Sequence, residues 1–240
     1  MNEHLFFKFF DIDRPNIPKD GSQWPESWKK IEYKSYPRLP QIKLPEPDLK
    51  GATLAGAILH RKSDRHFSSY SLSLTDLSTI LFFGAGVTQR GQNVDTHRRA
   101  HPSGGARYPI ETYVAVLNVN ELKKGIYHYN VLNHSLEFLL DTDKETISKL
   151  SAYDFVKEAA ATFIFTCLPE RSAIKYGNFA YKLILIEAGH IAENMCLVSA
   201  ALNLRASVVG NVHNIEIANG LLDTDGLGEI PFYLFAVGCG

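Results

Sequence analysis

Apolar positions recur with helical spacing in one long stretch of this chain and with strand-like alternation in several short ones. From Phe179 to Asn203, the residues Ile184, Ala188, Ile191, Met195, Val198 and Leu202 step by four, three, four, three and four positions, which keeps them on one face of a helix. Ser73 stands three residues before Asp76 at the head of the apolar run Leu77–Phe83, the pattern of a capped helix start, and Gly84 and Gly86 follow as a stop. Shorter helices are expected near residues 52–61, 144–150, 155–160 and 215–222. Glu111–Val119 alternates and is rich in β-branched residues, as a strand should be. Gly125–Asn130 and Ser135–Leu140 read as a hairpin around Val131–His134. Apolar strands at Thr162–Leu168, Ala206–Gly210 and Phe232–Gly238 complete the set. Helices and strands mixed in this way, with few βαβ repeats, indicate an α+β fold.

Two segments have no period. Between Asp13 and Lys50 stand Pro15, Pro18, Pro25, Pro37, Pro40, Pro45 and Pro47. Proline removes a backbone donor and disfavours helix in the residue before it, so this arm is expected to be extended. Trp24, Trp28, Tyr33 and Tyr36 make it too aromatic for a free linker. Residues 1–50 are therefore read as an N-terminal extension that docks on a domain formed by residues 51–240. The second segment is a polar loop from Thr88 to Pro109 that carries several Arg and His residues. Loops of this length inside a domain are usually functional or disordered.

Composition narrows the classes. The 240 residues carry 25 basic and 26 acidic side chains, a net charge of −1. That balance argues against nucleic acid as a partner, because affinity for a phosphate backbone comes from clustered Lys and Arg. It leaves room for a local basic pocket that takes a single phosphate. The N-terminal apolar patch Leu5–Phe10 is interrupted by Lys8 and followed by Asp11 and Asp13, so no export signal is expected. Leu183–Ile186 is broken off by Glu187, His190 and Glu193, so no membrane span is expected. Cys167, Cys196 and Cys239 are odd in number and lack CxxC spacing, which points to reduced thiols in a cytoplasmic protein, with Cys167 and Cys196 as core filler.

Common catalytic signatures are absent. Gly84-Ala85-Gly86 runs on to Gln89 where a dinucleotide fingerprint needs glycine, and no P-loop exists. Asp223-Thr224-Asp225-Gly226 has its glycine too early for a calcium loop and reads as a turn. His97 and His101 have a zinc-like spacing, but the glycines and proline of their loop oppose the helix such a site needs, so no metal is expected. Ser103 lacks a nucleophile elbow.

Three constellations remain, each with a bland alternative. His60-Arg61-Lys62-Ser63-Asp64-Arg65 offers guanidinium forks suited to phosphate or a polar ring edge, or it is a solvated helix end. Arg98-Arg99-Ala100-His101-Pro102-Ser103-Gly104-Gly105-Ala106-Arg107-Tyr108-Pro109 has glycines that let backbone N–H groups approach a ligand, or it is a flexible surface loop. Lys175-Tyr176-Gly177-Asn178, at the start of the long helix, pairs two groups able to move a proton, or it is an exposed helix start.

In this order and spacing, the constellations resemble the flavin-dependent nitroreductase superfamily, and within it the SagB-type dehydrogenases of thiazole/oxazole-modified peptide biosynthesis. The matching stretches are Arg61–Arg65, Pro102–Pro109, Gly125-Ile126-Tyr127-His128-Tyr129, and Lys175-Tyr176-Gly177 running into Leu185–His190. The resemblance covers roughly residues 52–240. It implies a nitroreductase-like fold, a central mixed or antiparallel sheet flanked by helices, and an intertwined homodimer with FMN at the interface. Arg61, Ser63 and Arg65 match positions that hold the phosphate, ribityl chain and pyrimidine edge of FMN. Pro102, Ser103 and Gly104 match the segment that reaches the flavin from the partner subunit. Val209, Gly210 and Asn211 match the segment near the reactive N5 edge, and Lys175 and Tyr176 match a Lys–Tyr pair implicated in proton removal. The chain departs from many nitroreductases in ending Val237-Gly238-Cys239-Gly240, without basic phosphate ligands after the last strand.

The function so implied is oxidation of azoline rings in a peptide to azoles, in the company of a cyclodehydratase. Two other readings stand beside it: a general nitro- or quinone-reductase fed by NADH or NADPH, and a flavin-binding scaffold subunit of a peptide-modifying complex.

Overall fold

The computed structural model describes residue 12, residues 15–49 and residues 51–240. The patch Leu5–Phe10, with Asp11, Asp13 and Lys50, lies outside the described residues. The strands are β1 (Gln41–Lys43), β2 (Val87–Gln89), β3 (Arg98–Arg99), β4 (Ile110–Val116), β5 (Gly125–Asn130), β6 (Ser135–Leu140), β7 (Ala161–Cys167), β8 (Arg205–Val209) and β9 (Ile230–Gly238). The α-helices are α1 (Glu26–Lys29), α2 (Leu54–His60), α3 (Leu74–Ala85), α4 (Lys144–Ser148), α5 (Glu170–Tyr176), α6 (Ala180–Ala201) and α7 (Ile215–Leu222).

Seven strands form one sheet in the order β1-β6-β5-β4-β7-β9-β8, and every neighbouring pair is antiparallel. The sheet is thus antiparallel rather than mixed. β4 and β7 lie at its centre and are buried at every position, so their side chains divide between two cores. Val114, Val116, Phe163 and Phe165 face α3 and α6, where Leu77, Ile80, Leu81, Ile184, Ile191 and Met195 meet them. Tyr113, Ala115 and Ile164 face the other way, against Ile147, Val156, Ala218 and Leu222. Each large side chain so buried contributes on the order of 1.5–3 kcal/mol.

Helix α6 buries Ile184, Ala188, Ile191, Met195 and Val198 of the periodic set, while Leu202 falls at its C-cap and is half-buried. The helical run from Glu170 to Ala201 is long and apolar enough by composition to cross a membrane. Here its α6 part packs against α2, α3 and the sheet. Helix α3 begins where the Ser73 hydroxyl accepts the Asp76 N–H at 3.0 Å. It runs through Gly84, where a Cβ would sit 2.6 Å from Met195 Cγ, and stops at Gly86. Gly84 is therefore a close-approach residue between α3 and α6 and not a stop.

Other elements differ from the expected pattern for local reasons. Gly177 adopts φ +52° and cuts the helical run, so Lys175 and Tyr176 close the short helix α5 instead of opening α6. The polar loop contains the two-stranded sheet β2–β3. Residues 154–158 form a 3₁₀ turn, and β4 ends at Val116.

A polar row crosses the apolar sheet. His128 is fully buried between two carboxylates, with Nδ1 2.7 Å from Glu137 and Nε2 3.2 Å from Glu111. Arg171 Nη1 on α5 donates to Glu111 at 2.6 Å. Glu137 also accepts from Tyr36 N at 2.9 Å, which ties the arm to the row. Burial opposes the charged form of His128, but Glu111 and Glu137 outweigh it and hold its pKa above the ordinary histidine value. Burial likewise pushes Glu111 and Glu137 up, and the opposing charges and donors of Arg171, His128 and Asn130 leave both below the usual carboxylate range.

The raised His128 contributes stability in full below about pH 6.5, and that contribution is lost as pH rises through its folded-state pKa. The depressed carboxylates contribute above about pH 4.5 and lose it as pH falls. His128→Gln should therefore lower stability by about 3–5 kcal/mol near pH 6, the range for breaking a buried ion pair. Urea unfolding at pH 6 and pH 9 checks this: the gap to the unmodified protein should narrow at the higher pH, and a gap that widens contradicts it.

Candidate functional site

One group of candidate residues gathers around α5. Lys175 and Tyr176 are buried, at 4% and 7% exposure, and the arm covers them. Lys175 Nζ lies 3.4 Å from the ring centroid of Trp24 and 5.8 Å from that of Trp28. An ammonium over an indole face at this range is a cation–π contact. The bland reading of these two residues as an exposed helix start is overturned, because the arm packs across them.

The arm is held in place by hydrogen bonds that involve α5 and the glycine loop. Trp28 Nε1 donates to the Ile174 carbonyl at 2.9 Å. The Arg107 guanidinium donates to the carbonyls of Trp28 at 2.9 Å, Lys30 at 2.7 Å and Arg171 at 2.7 Å. Further along, Ile31 N donates to Asp95 at 2.7 Å and Tyr33 Oη to the Val94 carbonyl at 2.9 Å.

Pro102, Ser103 and Gly104 belong to this group. Ser103 Oγ accepts from Tyr108 N at 2.9 Å, which folds the loop back on itself. Gly104 rests on Leu183 of α6, where a Cβ would approach to 2.8 Å. Gly105, Ala106 and Tyr108 all take positive φ, and for the two non-glycine residues this conformation is strained. At Gly105 a Cβ would lie 2.6 Å from Tyr176 Oη and 3.2 Å from Lys175 Nζ, so the bare backbone is what lets the loop close over the pair.

The second group lies at the far edge of the sheet. After α2 ends at Arg61 the chain extends alongside β8: Ser63 pairs in parallel with Ala206, and Asp64 N donates to the Ala206 carbonyl at 2.9 Å. Extended backbone alternates, so Arg61, Ser63 and Arg65 share one side of the segment. Arg65 sits 5.5 Å over the Phe155 ring, and Asp64 pairs with Lys62 at 3.4 Å and Arg205 at 3.6 Å. A cavity of about 250 Å³ here is lined by His60, Lys62, Ser199 and Arg205, and the buried Ser199 hydroxyl has no hydrogen-bond partner. Arg205 stands opposite Gly238 in the β8–β9 register, and its guanidinium also donates to the His66 carbonyl. Farther along the same edge, β8 ends in buried Val209 and exposed Gly210 and Asn211.

No hydrogen bond or ion pair joins the two groups among the described residues. Arg61, Ser63, Arg65 and Val209–Asn211 lie along one edge, while Pro102–Gly104 gather with Lys175 and Tyr176. Sequence reasoning missed Trp24 and Trp28 as lining residues, as well as the anchor Arg107 and the Ser199 and Arg205 cavity. The density of aromatics in the arm was the signal available for the first two.

The remaining motifs resolve into structure. His97 Nδ1 accepts from Gly91 N at 3.1 Å, and His101 Nε2 lies 3.2 Å from Glu187. Asp225 accepts from the N–H groups of Leu227, Gly228 and Glu229, which makes its segment a turn. The Cys167 and Cys196 thiols are pushed up by burial to about 11 each, so both stay protonated at neutral pH.

Comparison with known proteins decides the family. The model of the nitroreductase family matches residues 58–239. The chain belongs to the nitroreductase family. A Methanocaldococcus jannaschii protein named as a nitroreductase is 33% identical over 195 residues, covering 80% of this chain and 93% of that protein. The trifolitoxin-processing protein TfxB of Rhizobium leguminosarum bv. trifolii is 32% identical over 176 residues, 69% of this chain. The matched region spans 47% of TfxB, about half its length. A chain of the E. coli microcin synthetase McbBCD complex, solved with truncated pro-MccB17 bound, shares the fold with a TM-score of 0.64 at 22% identity, covering 77% of this chain and 72% of that one. Nitroreductases usually bind FMN.

Two glycines test the packing over Lys175 and Tyr176. Gly105 and Gly177 both take positive φ, but a Cβ at Gly177 meets nothing within 4 Å. Gly177→Ala, at φ +52° and ψ −140°, should destabilise by about 1–3 kcal/mol from backbone strain alone. Gly105→Ala adds a clash with Tyr176 Oη to its strain, so its loss in chemical denaturation should shrink in a Tyr176→Phe background. A loss unchanged by Tyr176→Phe would count against the close contact.

Proposed function

We propose that this protein is an FMN-dependent dehydrogenase that oxidises azoline rings of a peptide to azoles. The observation that carries the reading is the burial of Lys175 and Tyr176 together against Gly105 and the Pro102–Gly104 segment. The residues present fit the cofactor. Arg61, Ser63 and Arg65 run along one side of this edge, a donor set suited to a phosphate and a polyol chain, while the unpartnered Ser199 hydroxyl belongs to the cavity on the other side, with His60, Lys62 and Asp64. Arg205, which lines that cavity, is a further cation at this edge. FMN, when bound, supplies a two-electron acceptor for hydride.

The chain's own residues do the rest. Aromatisation of an azoline removes a hydride from one ring carbon and a proton from its neighbour. Tyr176 Oη beside the Lys175 ammonium, or Lys175 Nζ in its neutral amine form, takes that proton, since both groups lie at the same place beneath Gly105. Burial under the arm keeps bulk water away from the transfer.

The two groups belong to one site only if a second copy brings them together. Tyr181, Leu185 and Ile186 on α6, and Leu54, Ile58 and Leu59 on α2, are exposed apolar residues that such a homodimer would bury. Kinship with a trifolitoxin-processing protein, and a fold shared with a chain of the McbBCD complex, support a peptide substrate and a ring-forming partner such as a cyclodehydratase. The M. jannaschii relative, matched over nearly its full length, favours the second reading, a nitro- or quinone-reductase. Bleaching of bound FMN by NADH or NADPH would select that one.

Lys175→Ala and Tyr176→Phe should keep the yellow flavin absorbance while azole formation on a thiazoline peptide falls by roughly 10²-fold or more. Full turnover in both variants would sink the dehydrogenase reading. Leu185→Glu combined with Ile186→Glu should convert the dimer to a monomer on size exclusion and release FMN. A dimer that persists with its flavin argues against this interface.

A further inference from the structure

We infer that the cavity beside the glycine loop binds the carboxylate group of an organic ligand, and that the buried guanidinium of Arg99 is what recognises it. The inference stands apart from the chemistry proposed for Lys175 and Tyr176, because nothing in it requires that reaction.

Arg99 is the anomaly that points to the site. Among the described residues three arginines are buried, Arg99, Arg107 and Arg171, at 6%, 3% and 5% exposure. Arg107 donates to three carbonyls, and Arg171 to the Tyr108 carbonyl and to Glu111. The Arg99 side chain makes no hydrogen bond and no ion pair among the described residues, and its Nε and Nη2 are sealed without a partner. The carboxylates nearby are already engaged, Glu111 by Arg171 and His128, and Glu187 by His101. What surrounds the charge is aromatic. The guanidinium carbon lies 4.7 Å from the ring centroid of Tyr108 and 5.6 Å from that of Tyr33. Ring faces attract a cation without neutralising it, and burial holds the pKa of Arg99 below the usual arginine value. Nη1 is neither sealed nor bonded, so it is the open corner of the fork.

The cavity supplies the rest. It holds about 560 Å³, its lining includes Arg98, Arg99 and Ser103, and no Asp or Glu takes part in that lining. The cavity across Trp24, by contrast, mixes Glu26 and Asp95 with Lys29 and Lys30. Two guanidinium groups without an acid draw an anion, and a planar fork matches a carboxylate. Trp24, Pro102 and Ala106 add apolar wall, which suits an organic acid over a bare inorganic ion. The arrangement is set in advance: Arg99 N donates to Tyr108 Oη at 3.2 Å, and Tyr108 N donates to Ser103 Oγ at 2.9 Å. Ser103 still has its own O–H to give.

Arginine side-chain NMR tests the site in isotope-labelled protein kept saturated with FMN, where a site that serves only the cofactor gives no response and counts against the inference. The Arg99 Nε–H signal is identified by its loss in Arg99→Lys. At constant ionic strength, acetate should move that signal to saturation while the other arginine signals stay in place. Trialanine with a free C-terminal carboxylate should bind roughly tenfold more tightly than its carboxamide, the scale of one charge-assisted hydrogen bond. Whichever of acetate and trialanine binds more tightly names the source, a free small acid or a peptide end. Arg99→Leu should erase the preference for acid over amide. If that variant fails to fold, the same comparison on the unmodified protein decides alone. Equal binding of acid and amide, an unmoved Arg99 signal, or inorganic phosphate bound more tightly than either carboxylate overturns the inference.

Discussion

The buried row Glu137–His128–Glu111–Arg171 is the constraint on which the rest of the structure depends. Its members come from β6, β5, β4 and α5, so one chain of charged contacts crosses three strands and reaches the helix that carries Lys175. Charges in such a place are tolerable only when each meets its opposite. That requirement fixes the register of β5 against β4 and β6, since a one-residue slip would turn His128 to the other face of the sheet. It also fixes α5, because Arg171 reaches Glu111 and the Tyr108 carbonyl only with the helix seated as it is.

The arm closes a circuit around this row. Tyr36 binds Glu137 at one end, while Arg107 holds the Trp28 and Lys30 carbonyls and the Arg171 carbonyl at the other. Between them Lys34 pairs with Glu229 and reaches the Tyr113 hydroxyl. The proline-rich segment is therefore part of the domain's interior wiring, and the position of Trp24 over Lys175 follows from it. The glycine loop meets the same structure from the opposite side through Gly105. Lys175 and Tyr176 are held between two irregular segments, each fastened by polar contacts to regular structure.

The sequence showed the regular elements well where burial imposes a period. The α6 stripe, the Ser73 cap and the β5–β6 hairpin all depend on neighbours a few residues away, which a local pattern records. The family resemblance placed Arg61–Arg65, Pro102–Gly104 and Lys175–Tyr176, and the structure divides them into two groups. What could not be read locally was contact across long separations. Glu111 and Arg171, or Trp24 and Lys175, lie far apart in the chain, and nothing in either neighbourhood names the other. The break between α5 and α6 was missed for a different reason: Gly177 acts through a backbone angle, which apolar spacing does not register. β1, β2 and β3 are two or three residues long, too short for alternation to emerge.

The two margins of the sheet are both sealed by irregular chain. β8 is flanked by the segment at Ser63, and β6 by β1, whose three residues lie between Pro40 and Pro45. Proline cannot extend a hydrogen-bonded ladder, so β1 makes a poor template for a further strand. Without residues 40–44, the outer amides and carbonyls of β6 would stand open beside apolar Leu136 and Phe138. The arm therefore also guards solubility, by ending the sheet where another molecule could otherwise continue it.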